Sequence, residues 1–415
     1  MKVLFVTDEI APEVEGGAGN STHLLARALI KHGVECRVFS AWDTRRVPRR
    51  PQDEYQGVYR RFYRTRHRRL VRHAVGLFNP VALLTLHRII QEESPDIVHF
   101  HNVSKHISFS AFVLPWLHRI PGVFTARDTM AIAYRPITWY RVSSPGTRDY
   151  RATLWTTIRQ AKNRYIPFRN AIIRYTIRIT RTRVIAVSHE VQRALKQNHI
   201  PCRSVIHNPA DVDLNPPVMN GRPRWAADVP VYLFAARLDG SKGFREVLQA
   251  HQRLCNQGYR FRLLIAAEES PVKRMIRSSL TSAARELVTP LGWLSTRELT
   301  EVTKLVNCVV VPSVYLDAFP RANLESLAVG TPVVTTIHGG SSELVRDGKE
   351  GFVVNPTDTD EFADRIRTLL TDVDLAKNMG ERGKSRIQSQ FTTAHAAQRH
   401  MAIYARRDTR RVKEE

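Results

Sequence analysis

Short apolar runs alternate with helical stretches along the chain, and this alternation restricts the fold more than any other feature of the sequence. Six runs in the first half are short enough for buried strands: Val3–Thr7, Val34–Ser40, Asp96–Phe100, Val123–Thr125, Val184–Val187 and Ser204–His207. The stretches between them repeat apolar residues at helical spacing, as Leu25, Ala28 and Leu29 do. Strands that alternate with helices predict βα units in a parallel sheet.

The alternation is interrupted once, between Asn208 and Pro230, where Pro, Asn and Gly crowd into a span without periodicity. It resumes with runs at Val231–Ala235, Phe261–Ala266, Asn307–Val311, Val333–Thr336 and Phe352–Val354. A chain of 415 residues also exceeds the ~250–300 residues that one core usually serves. We therefore predict an α/β protein with two Rossmann-like parallel-sheet domains that face a central cleft, where ligands commonly bind.

The predicted domain limits follow from this interruption. An N-terminal domain covers residues 1–207, a linker covers residues 208–230, and a second domain covers residues 231–390. Residues 391–415 are predicted to form a C-terminal helix, which can cross back to the first domain, and a basic tail. Within the second domain, Ser295 and Glu298 have capping-box spacing, which predicts that a helix begins there.

Cysteine usage and the lengths of the apolar runs exclude several classes of protein. The four cysteines lie far apart in sequence and form no CxxC pair, so neither a disulfide framework nor a structural zinc site is expected. The first residues lack the long apolar run of a signal peptide, and no run approaches the ~18–20 residues that span a bilayer. These features predict a cytoplasmic protein.

Positive charge is concentrated in the first half of the chain. The chain has 63 Lys and Arg against 39 Asp and Glu, a net charge of +24, and residues 1–205 carry +20 of it. The densest clusters are Arg45–Arg72 and Arg148–Arg183. Such a field attracts polyanions, either nucleic acid or an anionic membrane surface. A generally basic and well-solvated surface is the alternative.

One basic segment, Arg164–Arg183, also repeats apolar residues at helical spacing. Its candidate membrane-facing residues are three arginines on one helix face and three apolar neighbours: Arg174, Arg178, Arg181, Ile166, Phe168 and Ile173. A basic amphipathic helix is typical of contact with a membrane surface. A helix that packs on the sheet with its arginines in water is the other interpretation.

A glycine-rich loop, residues 16–19, lies between the first predicted strand and helix. Such a loop lets a ligand approach the backbone, and the following helix N-terminus favours an anion. The loop does not match a dinucleotide fingerprint, because Thr22 stands where a third small residue is needed, and no Lys-Ser/Thr of a P-loop follows. Gly17 is therefore a candidate ligand contact, with a simple tight turn as the alternative.

Two motifs of the second half carry more specific chemistry. In the first, Arg237 and Lys242 stand five residues apart after a buried strand, a placement that suits a pyrophosphate, although a basic helix start is the alternative. In the second, the carboxylates Asp317 and Glu325 stand eight residues apart, and a predicted helix begins near Arg321. The first turn of that helix offers free N–H groups to an anion. Glu325, among apolar neighbours, needs hydroxyl or amide donors such as a ribose supplies.

These motifs, taken in order, resemble the retaining GT-B glycosyltransferases of glycosyltransferase family 4. The resemblance implies that Glu325 holds the ribose of a nucleotide sugar and that Asp317 lies near the transferred sugar. It also implies that Arg237 and Lys242 bind the diphosphate, that Gly17 faces a phosphate, and that Arg237, Lys242 and Asp317 act in catalysis. Further donor contacts are expected at Gly292, Trp293, Phe319, Pro320, Arg321, Ala322 and Asn323.

The chain departs from the family pattern at two positions. Asp317 replaces a longer glutamate, and Arg127 stands where relatives often carry a histidine, so no general base is assigned. The expected residues of the acceptor-side cleft are His99, His101, Arg127 and Asp128. Alternation puts the two histidines on one side of a strand end, where a core or cleft-lining role is expected rather than metal binding, since no third ligand is evident. The Asp-Val-Asp triplet at residues 211–213 lies in the linker, and no metal site is expected there or elsewhere, since cationic side chains can offset the diphosphate charge.

The resemblance implies an enzyme of polysaccharide biosynthesis, cytoplasmic and peripheral at the inner face of the membrane. It would move a hexose from a UDP- or GDP-linked sugar to a glycan or lipid-linked acceptor with retention, without a metal or other cofactor. One alternative is a non-catalytic polyanion-binding protein, but no aromatic RNA-binding signature or helix-turn-helix pattern accompanies the charge, so no nucleic acid partner is expected. The second alternative is a GT-B epimerase or phosphorylase.

Overall fold

The computed structural model describes residues 1–12, 17–66, 69–138, 141–144, 147–211, 229–238 and 240–405. They fall into two units, one of Met1–Pro209 with Thr393–Glu415 and one of Ala210–Thr392. The predicted linker lies mostly on residues 212–228, and the predicted basic tail on residues 406–415, both outside the described residues. Gly16, Asp213 and Asp239 lie outside them as well.

The first unit is built on an eight-stranded sheet with the order β10-β9-β6-β5-β1-β2-β4-β3. Its strands are β1 (Lys2–Thr7), β2 (Glu35–Asp43), β3 (Glu54–Tyr55), β4 (Val58–Thr65), β5 (Ile97–Phe100), β6 (Gly122–Ala126), β9 (Arg183–Ala186) and β10 (Ser204–Val205). A separate ladder joins β7 (Arg141–Ser144) to β8 (Thr147–Asp149). All pairs of the large sheet are parallel except β3 with β4.

Helices cover both faces of this sheet, as a parallel sheet requires. They are α1 (Gly17–Lys31), α2 (Arg72–Leu77), α3 (Pro80–Glu93), α4 (Val113–Leu117), α5 (Leu154–Ala161), α6 (Arg169–Ile179) and α7 (His189–Gln197). The stretch Arg72–Glu93 has the length and mean hydropathy of a membrane-crossing helix, contrary to the sequence expectation. It comprises α2 and α3, and α3 buries Ala82, Leu86, Ile89 and Ile90 while Val81 and Leu84 are exposed.

The second unit has a six-stranded parallel sheet with the order β13-β12-β11-β14-β15-β16. Its strands are β11 (Val231–Ala235), β12 (Arg262–Ala266), β13 (Val288–Pro290), β14 (Cys308–Val311), β15 (Val333–Thr336) and β16 (Gly351–Val354). Renumbered from its first strand, the order is 3-2-1-4-5-6, that of a Rossmann sheet. The order reverses between β11 and β14, which pair in register from Tyr232 with Cys308 to Phe234 with Val310.

The helices of the second unit lie between these strands and enclose an apolar core. They are α8 (Phe244–Asn256), α9 (Glu269–Ser279), α10 (Ser282–Glu286), α11 (Thr296–Leu305), α12 (Arg321–Ala328), α13 (Ser341–Leu344), α14 (Thr359–Thr371) and α15 (Val373–Gln390). The core joins Val247 of α8, Leu263 of β12 and Phe362 of α14. The predicted capping box is confirmed, because Ser295 and Glu298 bond to each other's backbone N–H at the start of α11.

The last helix, α16 (Thr393–Tyr404), belongs to the first unit. It packs beside α1, and Ala397 and Tyr404 share a core with Leu25. Its backbone is also bound by the sheet, because Arg183 donates to the Ile403 carbonyl at 2.9 Å. The C-terminal chain is therefore part of the core of this unit.

Each predicted apolar run of the sequence is a strand in the structure, within about three residues at the ends. The strands that the sequence did not indicate are short or charged, and the longest of them is β4. Its letters, VYRRFYRT, alternate buried and exposed positions, but one buried position is Arg60. Arg60 donates to the carbonyl oxygens of Ala11 at 3.1 Å and Gln52 at 2.6 Å, which replace the water that its guanidinium loses.

Candidate active site

Two of the predicted motifs meet at the edge of the second sheet where its strands end. In an open parallel sheet, ligands bind outside the strand ends at the point where the strand order reverses. Here that point lies between β11 and β14. The Arg237 motif follows β11, the Asp317 motif follows β14, and Val314 N–H donates to the Ser241 carbonyl at 2.9 Å to join the two loops.

An ion pair connects the two loops at this edge. Lys242 Nζ lies 2.7 Å from Asp317 Oδ2 and donates to the Tyr315 hydroxyl, also at 2.7 Å. The Ser313 hydroxyl donates to the same Asp317 oxygen at 2.8 Å. Burial by itself lowers the pKa of Lys242, but the Asp317 carboxylate and Tyr315 outweigh it and raise that pKa above its ordinary value. The ammonium is therefore charged at neutral pH.

Both members of this pair keep bonding capacity for a ligand. A lysine ammonium has three N–H donors, and within the described part of the chain Lys242 uses two. Among the described residues, both side-chain bonds of Asp317 go to Oδ2, so Oδ1 can accept a further bond. One free cationic donor and one free carboxylate oxygen are the groups that a phosphate oxygen and a sugar hydroxyl need.

Two glycines allow the loops around Asp317 to approach closely. Gly243 has φ +76°, and a Cβ there would lie 1.9 Å from the Pro312 carbonyl oxygen. Gly339 has φ +87°, and a Cβ there would lie 2.0 Å from the Asp317 carbonyl oxygen, which also accepts from Gly340 N–H at 2.9 Å. No other residue type fits either position without moving the backbone that holds the ion pair.

Glu325 has a protein partner in the structure. Arg321, one turn earlier on α12, donates to Glu325 Oε1 through Nε at 3.0 Å and Nη2 at 2.6 Å. Both side chains are mostly buried, at 11% and 20% exposure. The Glu325 Oε2 atom takes part in neither bond, so a ribose hydroxyl can bind there while Arg321 holds the carboxylate in place.

Two of the predicted donor contacts turn their side chains into the protein. Phe319 is 3% exposed and packs against Phe391 with ring centroids 5.9 Å apart and the ring planes tilted by 33°. Asn323 is fully buried, and its Nδ2 donates to the hydroxyls of Thr335 at 2.9 Å and Ser341 at 3.3 Å. The Asn323 side chain therefore joins α12 to β15 and α13, and donor contacts at these two positions remain a prediction for their backbone groups. Pro320, just before α12, is buried as well, and Ala322 is half-buried.

The remaining predicted donor residues lie in loops of the second unit. Arg237 is exposed two residues beyond β11, and no ion pair involves it among the residues that the structure describes. Gly292, with φ +72°, and Trp293, 52% exposed, lie between β13 and α11. Leu291 N–H donates to the Ile265 carbonyl at 2.8 Å and fastens this loop to β12. All three residues therefore follow strands of the same sheet and can meet a ligand at its carboxyl edge.

The predicted acceptor-side histidines of the first unit are interior residues. His99 and His101 are both fully buried, and burial lowers the pKa of each well below its ordinary value. His99 Nδ1 lies 2.7 Å from the Tyr404 hydroxyl, and its Nε2 lies 2.8 Å from the Thr125 hydroxyl. The ring of His99 therefore lies in the core, one of the two positions expected for it, because Tyr404 of α16 packs against it. His101 packs on Phe5, and neither of its ring nitrogens has a hydrogen-bond partner among the described residues.

The other candidates of the first unit lie at strand or helix ends. Gly17 is the exposed first residue of α1. Arg127, after β6, donates to the Asn208 side chain. Asp128 accepts from Asn102 Nδ2 at 2.7 Å and from Met130 N–H at 2.9 Å, and burial raises the pKa of its carboxyl.

Sequence reasoning assigned no role to two residues of the ion-pair site. Ser313 and Tyr315 stand inside the motif, yet only the folded loop shows that their hydroxyls hold Asp317 and Lys242. A hydroxyl two and four residues before a carboxylate is the sequence signal that could have identified them. Of the Asp-Val-Asp triplet, only Asp211 is described, and no cluster of three possible metal ligands occurs within the described ranges.

The two parallel-sheet units and the motifs at the switch point define a glycosyltransferase of the GT-B class. The chain belongs to glycosyltransferase family 4: the model described as Glycosyltransferase Family 4 matches residues 15–214, and the model described as Glycosyl transferases group 1 matches residues 220–386. The enzyme uses nucleotide sugars.

Known proteins resemble the chain over almost its whole length. The α-maltose-1-phosphate synthase of Mycolicibacterium smegmatis is 24% identical over 97% of this chain and 99% of its own. Seven further curated relatives, among them the D-inositol 3-phosphate glycosyltransferase of Nocardia farcinica, match over 40–53% of their own length. Sucrose-phosphate synthase of Thermosynechococcus elongatus has the same fold, with a TM-score of 0.73, 19% identity and coverage of 97% and 98% of the two chains. HepE of Anabaena, solved with UDP-glucose, has a TM-score of 0.67, 18% identity and coverage of 97% and 99%.

Proposed function

We propose that the protein transfers a hexose from a UDP- or GDP-linked sugar to a glycan or lipid-linked acceptor, with retention at the anomeric carbon and without a metal or other cofactor. The observation that carries the proposal is the Lys242–Asp317 ion pair at the switch point of the second sheet. It offers one cationic donor and one carboxylate oxygen at the edge where nucleotides bind in such sheets.

The departing nucleoside diphosphate gains negative charge as the bond to the sugar breaks. Lys242 and Arg237 supply positive charge there, and the first turn of α12 supplies backbone N–H groups. Donors held in place before the reaction stabilise such charge most, since no reorganisation is needed. Tyr315 and Asp317 hold Lys242 in that way, so a divalent ion is not required to offset the diphosphate.

Asp317 and Glu325 divide the recognition of the donor in this proposal. The Asp317 Oδ1 atom accepts from a hydroxyl of the transferred sugar, and the Glu325 carboxylate accepts from the ribose. HepE, a structural neighbour, was solved with UDP-glucose, which supports a uridine donor. The proposed location is the cytoplasmic face of the membrane, where a lipid-linked acceptor would be presented.

The test combines donor binding with the stereochemistry of the product. The protein is incubated with UDP-, GDP- and ADP-hexoses in EDTA, and both thermal stabilisation and hydrolysis are measured, since a ligand that binds the folded state raises its stability. NMR of the first sugar released shows its anomer. Stabilisation by one donor and release of the anomer present in that donor are expected in EDTA. The opposite anomer would overturn retention, full dependence on added Mg²⁺ or Mn²⁺ would overturn metal independence, and stabilisation by no donor would overturn the reaction.

A further inference from the structure

Helix α6 exposes a continuous apolar stripe on its outer side. The stripe consists of four side chains with exposed fractions of 78%, 45%, 66% and 41%: Phe168, Ile172, Tyr175 and Ile179. At ~100° of rotation per residue, they fall within about 60° of one another. An exposed row of this kind differs from single apolar residues on a surface, which need no explanation.

This stripe is not the face that fastens the helix to the protein. Ile173 and Ile177, on the inner side, are 0% and 1% exposed and pack in the first unit. Arg169 points inward too, and its Nη2 donates to the Met130 carbonyl at 2.7 Å. The sequence expectation that Ile173 belongs to the membrane-facing side is therefore wrong, whereas Phe168 is exposed as that expectation requires.

The first residue of the stripe has an unfavourable backbone conformation. Phe168 is the N-cap of α6 at φ +60°, the left-handed region that is unfavourable for a bulky residue. Glycine or asparagine would fill the position at less cost. The Phe168 side chain is 78% exposed, so it buries little apolar surface to offset this backbone cost. Such an outlier indicates a role outside folding.

Three arginines lie to one side of the stripe, Arg174 and Arg178 at ~90–130° around the axis of α6 from the stripe centre and Arg181 just beyond the helix. Residues 150–189 contain no Asp or Glu. No carboxylate pairs with Arg174, Arg178 or Arg181 within the described part of the chain, and Arg178 reaches only the His199 carbonyl, at 3.1 Å. In the other basic cluster, Arg45–Arg72, four arginines do pair with acids: Arg45 with Asp43, Arg46 with Glu9, Arg50 with Asp53, and Arg61 with Glu92 and Glu93.

We propose that this stripe and its three arginines, here called the α6 surface, dock the protein on an anionic lipid bilayer. The apolar side chains enter the boundary between headgroups and acyl chains, and the arginines bind lipid phosphates. Trp155 and Leu154 of α5, 81% and 67% exposed, are further apolar side chains in the same acid-free segment. An acidic protein or a nucleic acid would match the arginines but would gain little from Ile172 and Ile179.

The docking goes beyond the proposed reaction and is tested without any donor. The full chain is sedimented with vesicles of phosphatidylcholine alone and of phosphatidylcholine with phosphatidylglycerol. One variant, Phe168→Asn with Tyr175→Ser, removes the aromatic part of the stripe, and Asn suits the left-handed position. Its matched control is Val373→Ser with Leu305→Ser, which removes two exposed apolar side chains from the second unit.

A second pair of variants tests the charge. Arg174→Gln with Arg181→Gln removes two arginines of the α6 surface. Arg274→Gln with Arg277→Gln removes the same charge from exposed positions of α9. Because the two variants have the same net charge, a difference in their vesicle binding reports the position of the arginines and not the net charge of the protein.

The parent is expected to bind anionic vesicles and to bind neutral ones far less. The stripe variant should lose roughly tenfold or more in partitioning, since burying one such side chain is worth ~1.5–3 kcal/mol and ~1.4 kcal/mol is tenfold. The arginine variant should lose affinity at low salt, and both controls should bind like the parent. At ~1 M salt, where the Debye length is ~3 Å, the parent should still exceed the stripe variant.

Three results would overturn the proposal. The first is a parent that binds neither kind of vesicle, the second is a stripe variant that binds like the parent, and the third is an α9 control that loses as much as the α6 arginine variant. Thermal unfolding of each variant checks that it is folded, and donor-induced stabilisation is measured separately. A protein that bound vesicles but no nucleotide sugar would refute only the proposed reaction.

Discussion

The Lys242 ammonium lies 2.7 Å from the Asp317 carboxylate, although 75 residues of chain separate them. The pair joins the loops after β11 and β14, at the strand ends where the sheet order reverses. Removal of either charge therefore affects both the ligand site and the loop that forms it, and variants can separate the two effects.

Lys242→Ala should weaken donor binding by ~1–3 kcal/mol, because it removes a charge-assisted contact to the diphosphate. Isothermal calorimetry with the donor found in the screen measures the loss. Lys273→Ala is the control, since Lys273 is an exposed lysine of α9 paired with Glu269. Donor affinity equal to that of the parent in a folded Lys242→Ala variant would contradict the diphosphate assignment.

Glu325→Ala should weaken donor binding by a similar ~1–3 kcal/mol, because the ribose loses an acceptor and Arg321 loses its partner. Comparison with a 2′,3′-dideoxyribose donor isolates the ribose contact, since the variant should hardly distinguish that donor from the natural one. Glu269→Ala removes an exposed acid and should leave affinity unchanged. If the variant still preferred the natural donor as strongly as the parent does, the ribose assignment would be wrong.

Gly339→Ala should reduce both stability and donor binding. A Cβ at this position would lie 2.0 Å from the Asp317 carbonyl oxygen, in addition to the strain of φ +87°. Gly348→Ala is the matched control, because Gly348 has φ +70° but nothing within 4 Å of its Cβ position, so only the backbone cost of ~1–2 kcal/mol applies. Chemical denaturation compares the two, and an equal loss in both would argue against close packing on the Asp317 loop.

Buried histidines should make stability depend on pH. His251 Nδ1 lies 2.8 Å from the Tyr232 hydroxyl, and its Nε2 lies 3.0 Å from the Ala284 carbonyl oxygen. Burial lowers the pKa of His251 from 6.5 to about 4, so the unfolded chain takes up the proton at a higher pH than the folded chain. The free energy of unfolding should therefore fall between pH 6.5 and about 4, by up to ~1.4 kcal/mol per pH unit for this group.

Denaturation of His251→Gln across this range should show a shallower dependence than the parent. His32→Gln, at the exposed end of α1, should keep the slope of the parent. Burial raises the pKa of Asp8 from 3.8 to about 6, which acts in the opposite direction, but it does so equally in all three proteins. Identical slopes for His251→Gln and the parent would mean that His251 does not titrate with unfolding.

The strands could be predicted because central parallel strands are covered on both faces and appear in the sequence as continuous apolar runs. Val3, Leu4, Phe5 and Val6 of β1 are all at most 1% exposed. The bounds of β11 agree with the prediction to the residue. Strand β4 was not predicted because its buried Arg60 interrupts the apolar pattern. The guanidinium of Arg60 can be buried only because the carbonyl oxygens of Ala11 and Gln52 accept its hydrogen bonds.

Residue chemistry and spacing were sufficient to select Lys242, Asp317 and Glu325 as candidates, because charge and chain position are local properties. The side chains that contact the candidate residues could not be predicted from the sequence. The ion pair of Arg321 with Glu325 depends on the side-chain rotamers within one helix turn. The hydrogen bond of Tyr404 with His99 depends on the packing of α16 next to β5, although the two residues are 305 positions apart in sequence. Such contacts arise from the register of the sheet and the paths of the loops, which no short stretch of sequence specifies.

Helix α6 shows the same division in one element. The sequence by itself determined that this helix would carry arginines on one face and apolar residues at helical spacing, because the spacing of residue types can be read directly from the sequence. Only the tertiary structure decided that Ile173 and Ile177 face the core and that Phe168, Ile172 and Tyr175 face solvent. The physical reason is that a helix can be rotated about its axis at no cost to its own backbone, so the neighbours against which it packs choose the buried side.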